Sequence, residues 1–379
     1  MLNYQHMDSP PAFGMAFGLW FSLAAATSFA QAPADRPIPS DTEIGQILKN
    51  HVGPENLGIG IVVGVIDARG RRIVSYGSLA KDDERSLTGD TIFEIGSITK
   101  VFTSLVLMDM VQKGEVSVTD PVSKYLPAEV RVPERNGKKI TLQDLATQSS
   151  GLPVGPSSGD RSNPYAGYSK EQLYEFLSGY ELTRDIGSRY EYSTIGVSLL
   201  GHALSLRDGK DYDAMVRARI LAPLGMNDTG VTLSPEMKER LAPGHGINRN
   251  PVPNLDFSIR EVLAGGGGLK SSANDLLTFL AANLGYTKTP LAPALAAEIS
   301  IRRPTLPSMV GMEIAYTWHI QTKDGKSIIW HNGSSPGYRA YIGFDPKRGA
   351  GVVVLSNCFS PTLTDDIGRH LLDQSYPLP

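Results

Sequence analysis

The stretch 93-FEIGSITKVFTSLVLMDMVQKG-114 decides how this chain is read. A strand-like 91-TIFEIG-96 leads into it, and the apolar run that follows predicts a helix over 98–113. Ser97 and Lys100 stand at the junction, and one helical turn returns both to the same face. Two readings compete. In the first, Ser97 is a polar N-cap and Lys100 a snorkelling surface lysine. In the second, Ser97 is a nucleophile at a helix start, where free N–H groups and the positive dipole end stabilise a developing oxyanion. Lys100, in a dry pocket, would have a lowered pKa and take the serine proton. The spacing alone does not choose, because Ser78-Leu79-Ala80-Lys81 shares it. That pair runs into 81-KDDER-85, a charged segment that reads as a solvated loop.

The rest of the chain is ordinary for a soluble protein with an ample core: 379 residues, 41% apolar and 20% charged. A net charge of −3 makes no electrostatic case for nucleic acid or an anionic membrane as partner. Cys358 is the only cysteine, which excludes an intrachain disulfide and reads as a small core residue. His, Asp and Glu do not cluster at ligand spacings, so neither metal nor cofactor is expected. Residues 12-AFGMAFGLWFSLAAATSFA-30 resemble a signal peptide, with 28-SFA-30 as its cleavage site, although Asp8 stands where a basic residue is usual. The expectation is a signal over 1–30, a linker over 31–40, a periplasmic or secreted product, and no stable membrane span after cleavage. A retained N-terminal anchor is the alternative. With no cysteine after the run, a lipoprotein is excluded.

Beyond the linker a helix is predicted around 41–51, capped by Ser40 or Asp41. The runs 58-GIGIVVGVID-67 and 71-RRIVSYGS-78 then form a hairpin around 68-ARG-70. Four strand-like runs mirror them near the other end, at 315–322, 327–333, 338–345 and 350–357, before a final helix over 361–374. Helical patterns cover 141–148, 170–178, 194–207, 211–221, 234–241 and 273–284 between these ends. The predicted class is α+β: one antiparallel sheet built from both chain ends, flanked by helices, with a large, mostly helical inserted region. Within a domain of 41–379, the sheet part would be 41–90 and 310–379 and the helical part 91–309. A cleft between the two is the natural place for a site.

Two further elements face such a cleft. In 187-GSRYEYSTIGVSLLG-201, Tyr192 precedes a helical run, where a phenol near cations can pass a proton to a leaving group. Tyr190, two residues earlier, suits packing. In 330-WHNGSSPGYRAYIGF-344, His331 ends a strand and Gly333 lets another backbone lie close along a sheet edge. Taken singly, Tyr192 reads as a packing tyrosine and His331 as a structural histidine. His51-Val52-Gly53 repeats the His-x-Gly pattern in a predicted loop. The run 265-GGGG-268 lacks the ending of a phosphate loop and reads as a flexible turn before a helix capped by Ser272 or Asn274.

Together these elements resemble the serine β-lactamase and penicillin-binding protein superfamily. The nearest branches are the class C β-lactamases, the related D-Ala carboxypeptidases and endopeptidases, and esterases of the same fold. Further similar segments are 114-GEVSVTDPVSKYLP-127, 141-TLQDLATQSSGLP-153, 223-PLGMNDT-229 and 265-GGGGLKSSANDLLTF-279. The resemblance spans about 40–375 and implies the β-lactamase/transpeptidase-like fold. It further implies Ser97 as acylated nucleophile, Lys100 as its proton acceptor and Tyr192 as relay to the leaving atom. His331 would stand where many relatives have lysine and steer a substrate carboxylate or orient Tyr192. The N–H groups of Ser97 and Ser334 would form the oxyanion hole.

Three departures from that pattern bear on substrate. Tyr-x-Asn is Tyr192-Ser193-Thr194 here, so Thr194 offers one hydroxyl where an amide would contact substrate and lysine. A usual histidine before Ser-Gly-Leu is Gln148, and Lys-Thr-Gly is His331-Asn332-Gly333. An uncharged His331 weakens carboxylate recognition. The expectation is a small-molecule substrate hydrolysed through an acyl-enzyme on Ser97. A β-lactam comes first, and a D-Ala peptide or a small ester second. A slowly deacylating penicillin sensor is the non-enzyme alternative. Ser97 is expected to act as helix cap and nucleophile at once.

Overall fold

The predicted hairpin forms from β1 (Gly60–Asp67) and β2 (Gly70–Gly77), which pair along their whole length. In this computed structural model, which describes residues 37–52, 60–81, 83–155, 168–255 and 261–378, β1 also pairs with the last strand of the chain. The later strands are β3 (Arg303–Pro304), β4 (Met312–Ile314), β5 (His319–Lys323), β6 (Lys326–Ser335), β7 (Tyr338–Asp345) and β8 (Ala350–Ser356). They complete one eight-stranded sheet in the order β2-β1-β8-β7-β6-β5-β4-β3, with every pairing antiparallel. The short β3 and β4 carry too few residues for a period-2 signal and were not anticipated. Pro304 sits on the outermost strand, where its missing N–H breaks no interior ladder.

Both faces of this sheet are covered, which explains why β1 and β8 read as unbroken apolar runs. Ile61, Val63 and Val65 pack with Ile44 and Leu48 of α1 (Asp41–Val52) and with Ile367 and Leu371 of the final helix, Leu363–Leu372. Val62 and Ile66 face the opposite side, toward the inserted helices. Ser40 is the α1 cap: its Oγ accepts from Glu43 N–H (3.3 Å), and Glu43 Oε2 accepts from Ser40 N–H (2.7 Å). His51 lies in the last turn of α1 rather than in a loop, with Nδ1 2.8 Å from Ile47 O.

The inserted region holds α2 (Thr99–Gln112), α3 (Thr194–Asp208) and α4 (Ala273–Asn283), each starting where the sequence pattern places it to within one residue. Residues Thr99 to Met110 of α2 are all buried, as suits a helix that is apolar all round. Ser272 caps α4 by accepting from Asp275 N–H (3.1 Å). Leu277 of α4 lies on Gly64 of β1, where a Cβ would come within 3.0 Å of it. The N-terminal segment expected to be a signal lies outside the described residues. Among these residues no helix is long and apolar enough to cross a membrane.

Candidate active site

Residues Ile92–Glu94 pair with Lys270–Ser272, and Ile95 N–H donates to Leu269 O (3.2 Å), so the approach to Ser97 is pinned. Gly96 then takes φ +48°, the left-handed conformation that glycine adopts most readily. Ser97 occupies the middle of a 3₁₀ turn, Gly96–Ile98, which runs on into α2. The two N-cap positions are filled by Ile95 and Ile98, and neither makes a side-chain cap. The expected cap role of Ser97 is therefore corrected. Because Ser97 is inside the tight turn rather than ahead of it, its hydroxyl faces Lys100 instead of folding back on the helix N–H groups.

Lys100 is fully buried, and its Nζ lies 2.9 Å from Ser97 Oγ. It also donates to the carbonyl of Gly266 (2.6 Å). Burial alone pulls this ammonium down to about 7, with no carboxylate among the described residues to offset it. Lys81 of the competing Ser-x-x-Lys pair is exposed.

Gly266 is a residue the sequence reading missed. The glycine run is not a flexible turn but a helical one, Ala264–Gly267, wedged between α2 and α3. A Cβ at Gly266 would meet Ser198 Oγ at 2.3 Å and Thr194 Cγ2 at 2.9 Å. The run lets the main chain come close enough for its carbonyls to hold Lys100 and, from Gly265, Thr103 Oγ1 (2.8 Å). Four adjacent glycines signal close backbone approach as readily as flexibility.

Tyr192 is half-buried and immediately precedes Ser193, the α3 cap, whose Oγ accepts from Gly196 N–H (2.9 Å). Lys100 Nζ lies 5.0 Å from the Tyr192 ring centroid. Burial pushes the phenol up to about 12, against hydrogen bonds with Ser97 and Thr194 that lower it, so it stays protonated at neutral pH. Tyr190 is buried as expected, with its hydroxyl 3.2 Å from His319 Nε2.

Gln148 grips both neighbours of Tyr192. Its main-chain carbonyl accepts from Glu191 N–H and its Oε1 from Ser193 N–H, each at 2.7 Å. The sequence marked Gln148 only as a departure from a usual histidine. Replacing it with methionine keeps the bulk and removes the acceptor. We expect kcat to fall about 10- to 100-fold, the range for a misplaced reacting group, with KM little changed. A Gln148→Met enzyme with wild-type kcat would show that Tyr192 is held by other means.

Gly333 and Ser334 lie in β6, opposite Ala340 and Arg339 of β7. On the other side β5 stops opposite Trp330, so the end of β6 is a local sheet edge. Gly333 is there because the Ser97 turn presses on it: a Cβ would sit 1.8 Å from Ile95 O and 3.3 Å from Ser97 N. A Cβ on Gly96 would likewise sit 2.6 Å from Ser334 N. The main-chain nitrogens of Ser97 and Ser334 thus both lie where the turn meets the strand edge.

His331 lies within β6 rather than at its end, fully buried, with Nδ1 2.6 Å from Asn332 O and its ring 6.4 Å from that of Tyr192. Burial, with His319 and Lys100 close by, holds it well below the usual histidine range. It is neutral at pH 7 and supplies no charge to a carboxylate.

A Ser–x–x–Lys pair, a tyrosine and a glycine-bearing strand edge, set between an antiparallel sheet and a helical layer, define the β-lactamase-fold serine hydrolases. The Beta-lactamase family model matches residues 57–375, and the chain belongs to that family. It is 29% identical to the D-alanyl-D-alanine-carboxypeptidase/endopeptidase AmpH of Escherichia coli K12, over 89% of this chain and 90% of that one. It is 25% identical to a beta-lactamase of Pseudomonas fluorescens, over 83% and 94%. The class C beta lactamase structure from Rhodobacter sphaeroides superposes with a TM-score of 0.74 at 24% identity, over 88% and 98%, and shares the fold.

Proposed function

We propose that this hydrolase cleaves D-alanyl peptide bonds through an acyl-enzyme on Ser97, and the observation that carries the mechanism is the 2.9 Å contact between Ser97 Oγ and the buried Lys100 Nζ. Neutral Lys100 accepts the hydroxyl proton as Oγ attacks the carbonyl carbon. The oxyanion is received by the N–H groups of Ser97 and Ser334. As the C–N bond breaks, Tyr192 gives its proton to the leaving nitrogen, and Lys100 returns one to Tyr192. Water then cleaves the serine ester. Similarity to AmpH over nearly the whole chain supports the peptide as substrate. β-Lactam hydrolysis is the second reading, favoured by the FEIGSITK signature and by the Pseudomonas relative.

Three substrates separate the readings: an acyl-D-Ala-D-Ala peptide, nitrocefin and a short-chain p-nitrophenyl ester. Peptide cleavage supports the first, and steady nitrocefin turnover without it supports the second. A single stoichiometric burst marks a slowly deacylating sensor, whereas turnover of the ester alone sinks both amide readings. Thr194 bears on this choice, because the side-chain groups bonded to Lys100 and Tyr192 include no amide at this corner. Thr194→Asn supplies one hydrogen bond to an acylamide and is expected to raise lactam over ester turnover about tenfold, the worth of roughly 1.4 kcal/mol. An unchanged ratio would remove Thr194 from substrate selection.

A further inference from the structure

Glu298 ends the helix Ala292–Glu298 and is fully buried, with no basic side chain bonded to it among the described residues. Its Oε1 meets Ser104 Oγ of α2, and its Oε2 accepts from the indole N–H of Trp318 (3.4 Å). Ser104 Oγ also lies 3.0 Å from the carbonyl of Tyr316, 2.9 Å from Thr317 Oγ1 and 3.2 Å from Val101 O. Ser104, Thr317 and Trp318 are fully buried as well.

The hydrogens available here select the state of the acid. Ser104 has one hydroxyl hydrogen, and the Tyr316 carbonyl lies within its reach. An ionised Glu298 would take that hydrogen from the carbonyl. A protonated Glu298 donates to Ser104 Oγ, and Ser104 donates on to Tyr316, so each group is satisfied. A full charge, met only by one hydroxyl and one long indole contact, would be costly at this depth. Burial accordingly pushes the carboxyl well above its usual range, against the two hydrogen bonds that lower it.

The cluster joins the two halves of the proton-transfer pair. Ser104 stands one helical turn beyond Lys100 on α2, on the same face. Thr317 N–H donates to Ala146 O (2.8 Å), two residues before the Gln148 that grips both neighbours of Tyr192. Gln148 and Thr317 take φ +56° and +63°, and both are buried, whereas the other described non-glycine residues with positive φ are exposed. A branched residue such as threonine keeps this backbone only where its surroundings impose it. Here the hydroxyl contact with Ser104 and the N–H bond to Ala146 do so.

We infer that Glu298 is a positioning residue for the acyl transfer: as a hydrogen-bond donor to Ser104 it ties α2, which carries Lys100, to the Thr317–Ala146 contact that sets Gln148 and hence Tyr192. The inference rests on the acyl-enzyme reading given above.

Glu298→Met keeps the bulk and removes the donor, and kcat should fall at least about tenfold while KM stays within about threefold. Glu298→Gln offers an amide N–H to Ser104 and an oxygen to Trp318, and should restore kcat to within about threefold of wild type. Ser104→Ala should lose about as much as Glu298→Met, and the double variant little more, because both remove the same link. A glutamine variant as slow as the methionine one, or a methionine variant with wild-type kcat, overturns the proposal. If Glu298→Met does not fold, Ser104→Ala against Glu298→Gln makes the same comparison, and a fast Ser104→Ala overturns it. Urea unfolding gives a reading that needs no turnover. Ser104 and Trp318, the side chains bonded to Glu298, do not titrate in the range used. Tyr316 directs its hydroxyl to Gln143 Oε1 (3.1 Å), and Arg303 its guanidinium to Thr147 and Ser149 (3.1 and 3.2 Å). The folded wild type keeps a proton that its unfolded chain gives up above the ordinary carboxyl range. Its unfolding constant relative to Glu298→Gln should therefore rise about tenfold per unit between about pH 5 and 7. A flat ratio means an ionised Glu298 and overturns the proposal. If the slope is present while Ser97→Ala retains full activity, the buried donor stands and the catalytic reading fails.

Discussion

Replacing Ser97 with alanine is expected to lower turnover of every hydrolysed substrate by at least about 10³-fold and to abolish the covalent adduct seen by intact-protein mass spectrometry. Ser97 Oγ is the hydroxyl within 2.9 Å of a buried lysine, on a turn packed against a strand edge that supplies N–H groups. Removing the oxygen leaves the oxyanion site and the cleft in place, so a small residual rate over water is expected rather than none. Ser78→Ala is the control, because its companion Lys81 is exposed, whereas Lys100 is fully buried. Loss of activity in Ser78→Ala with retention in Ser97→Ala would reverse the assignment.

Lys100 should show an effect of similar size with its own pH signature. Only the neutral amine accepts the serine proton, and burial brings the ammonium down to about 7. The rate on wild-type enzyme should therefore rise with pH through about 7 and level off above it. At pH 5 it should be about 100-fold lower, since the neutral fraction falls tenfold per unit. The surrounding groups add no second limb in this range. His319 is held near 4 by burial and by Arg369, His331 is held well below its usual range, and Tyr192 is pushed up to about 12. Lys100→Met and Lys100→Arg should both lose at least about 10³-fold, the second because a guanidinium keeps its charge but does not give up its proton. If Lys100→Arg retains activity, the residue acts by charge alone. A flat profile between pH 5 and 8 would also exclude it as the base.

Much of the fold was legible because its periodicity is local. β1 and β8 are apolar runs of strand length bounded by glycine turns, and α2 is an apolar run too long for a strand. The short strands β3 and β4 carry no such signal, since pairing with neighbours in the sheet is what makes them strands. The site was legible in part for a similar reason. Ser97, Lys100 and Tyr192 carry recognisable chemistry in recognisable surroundings, whereas Gly266 acts through a carbonyl that every residue possesses. The contact of Glu298 with Ser104 joins positions 194 residues apart, which no short window can pair.

Residue types and their spacing by themselves determined the α+β class, the closing of the sheet by both chain ends, and the Ser97–Lys100 pair as the place to look. Only the tertiary structure shows how that pair is placed. A 3₁₀ turn removed Ser97 from the capping position, and burial of Lys100 pulls its ammonium down to about 7. Burial within the folded chain also holds His331 well below the usual histidine range. The physical reason is common to all three: a side chain's charge state and reach are set by what surrounds it, and those surroundings come from distant parts of the chain.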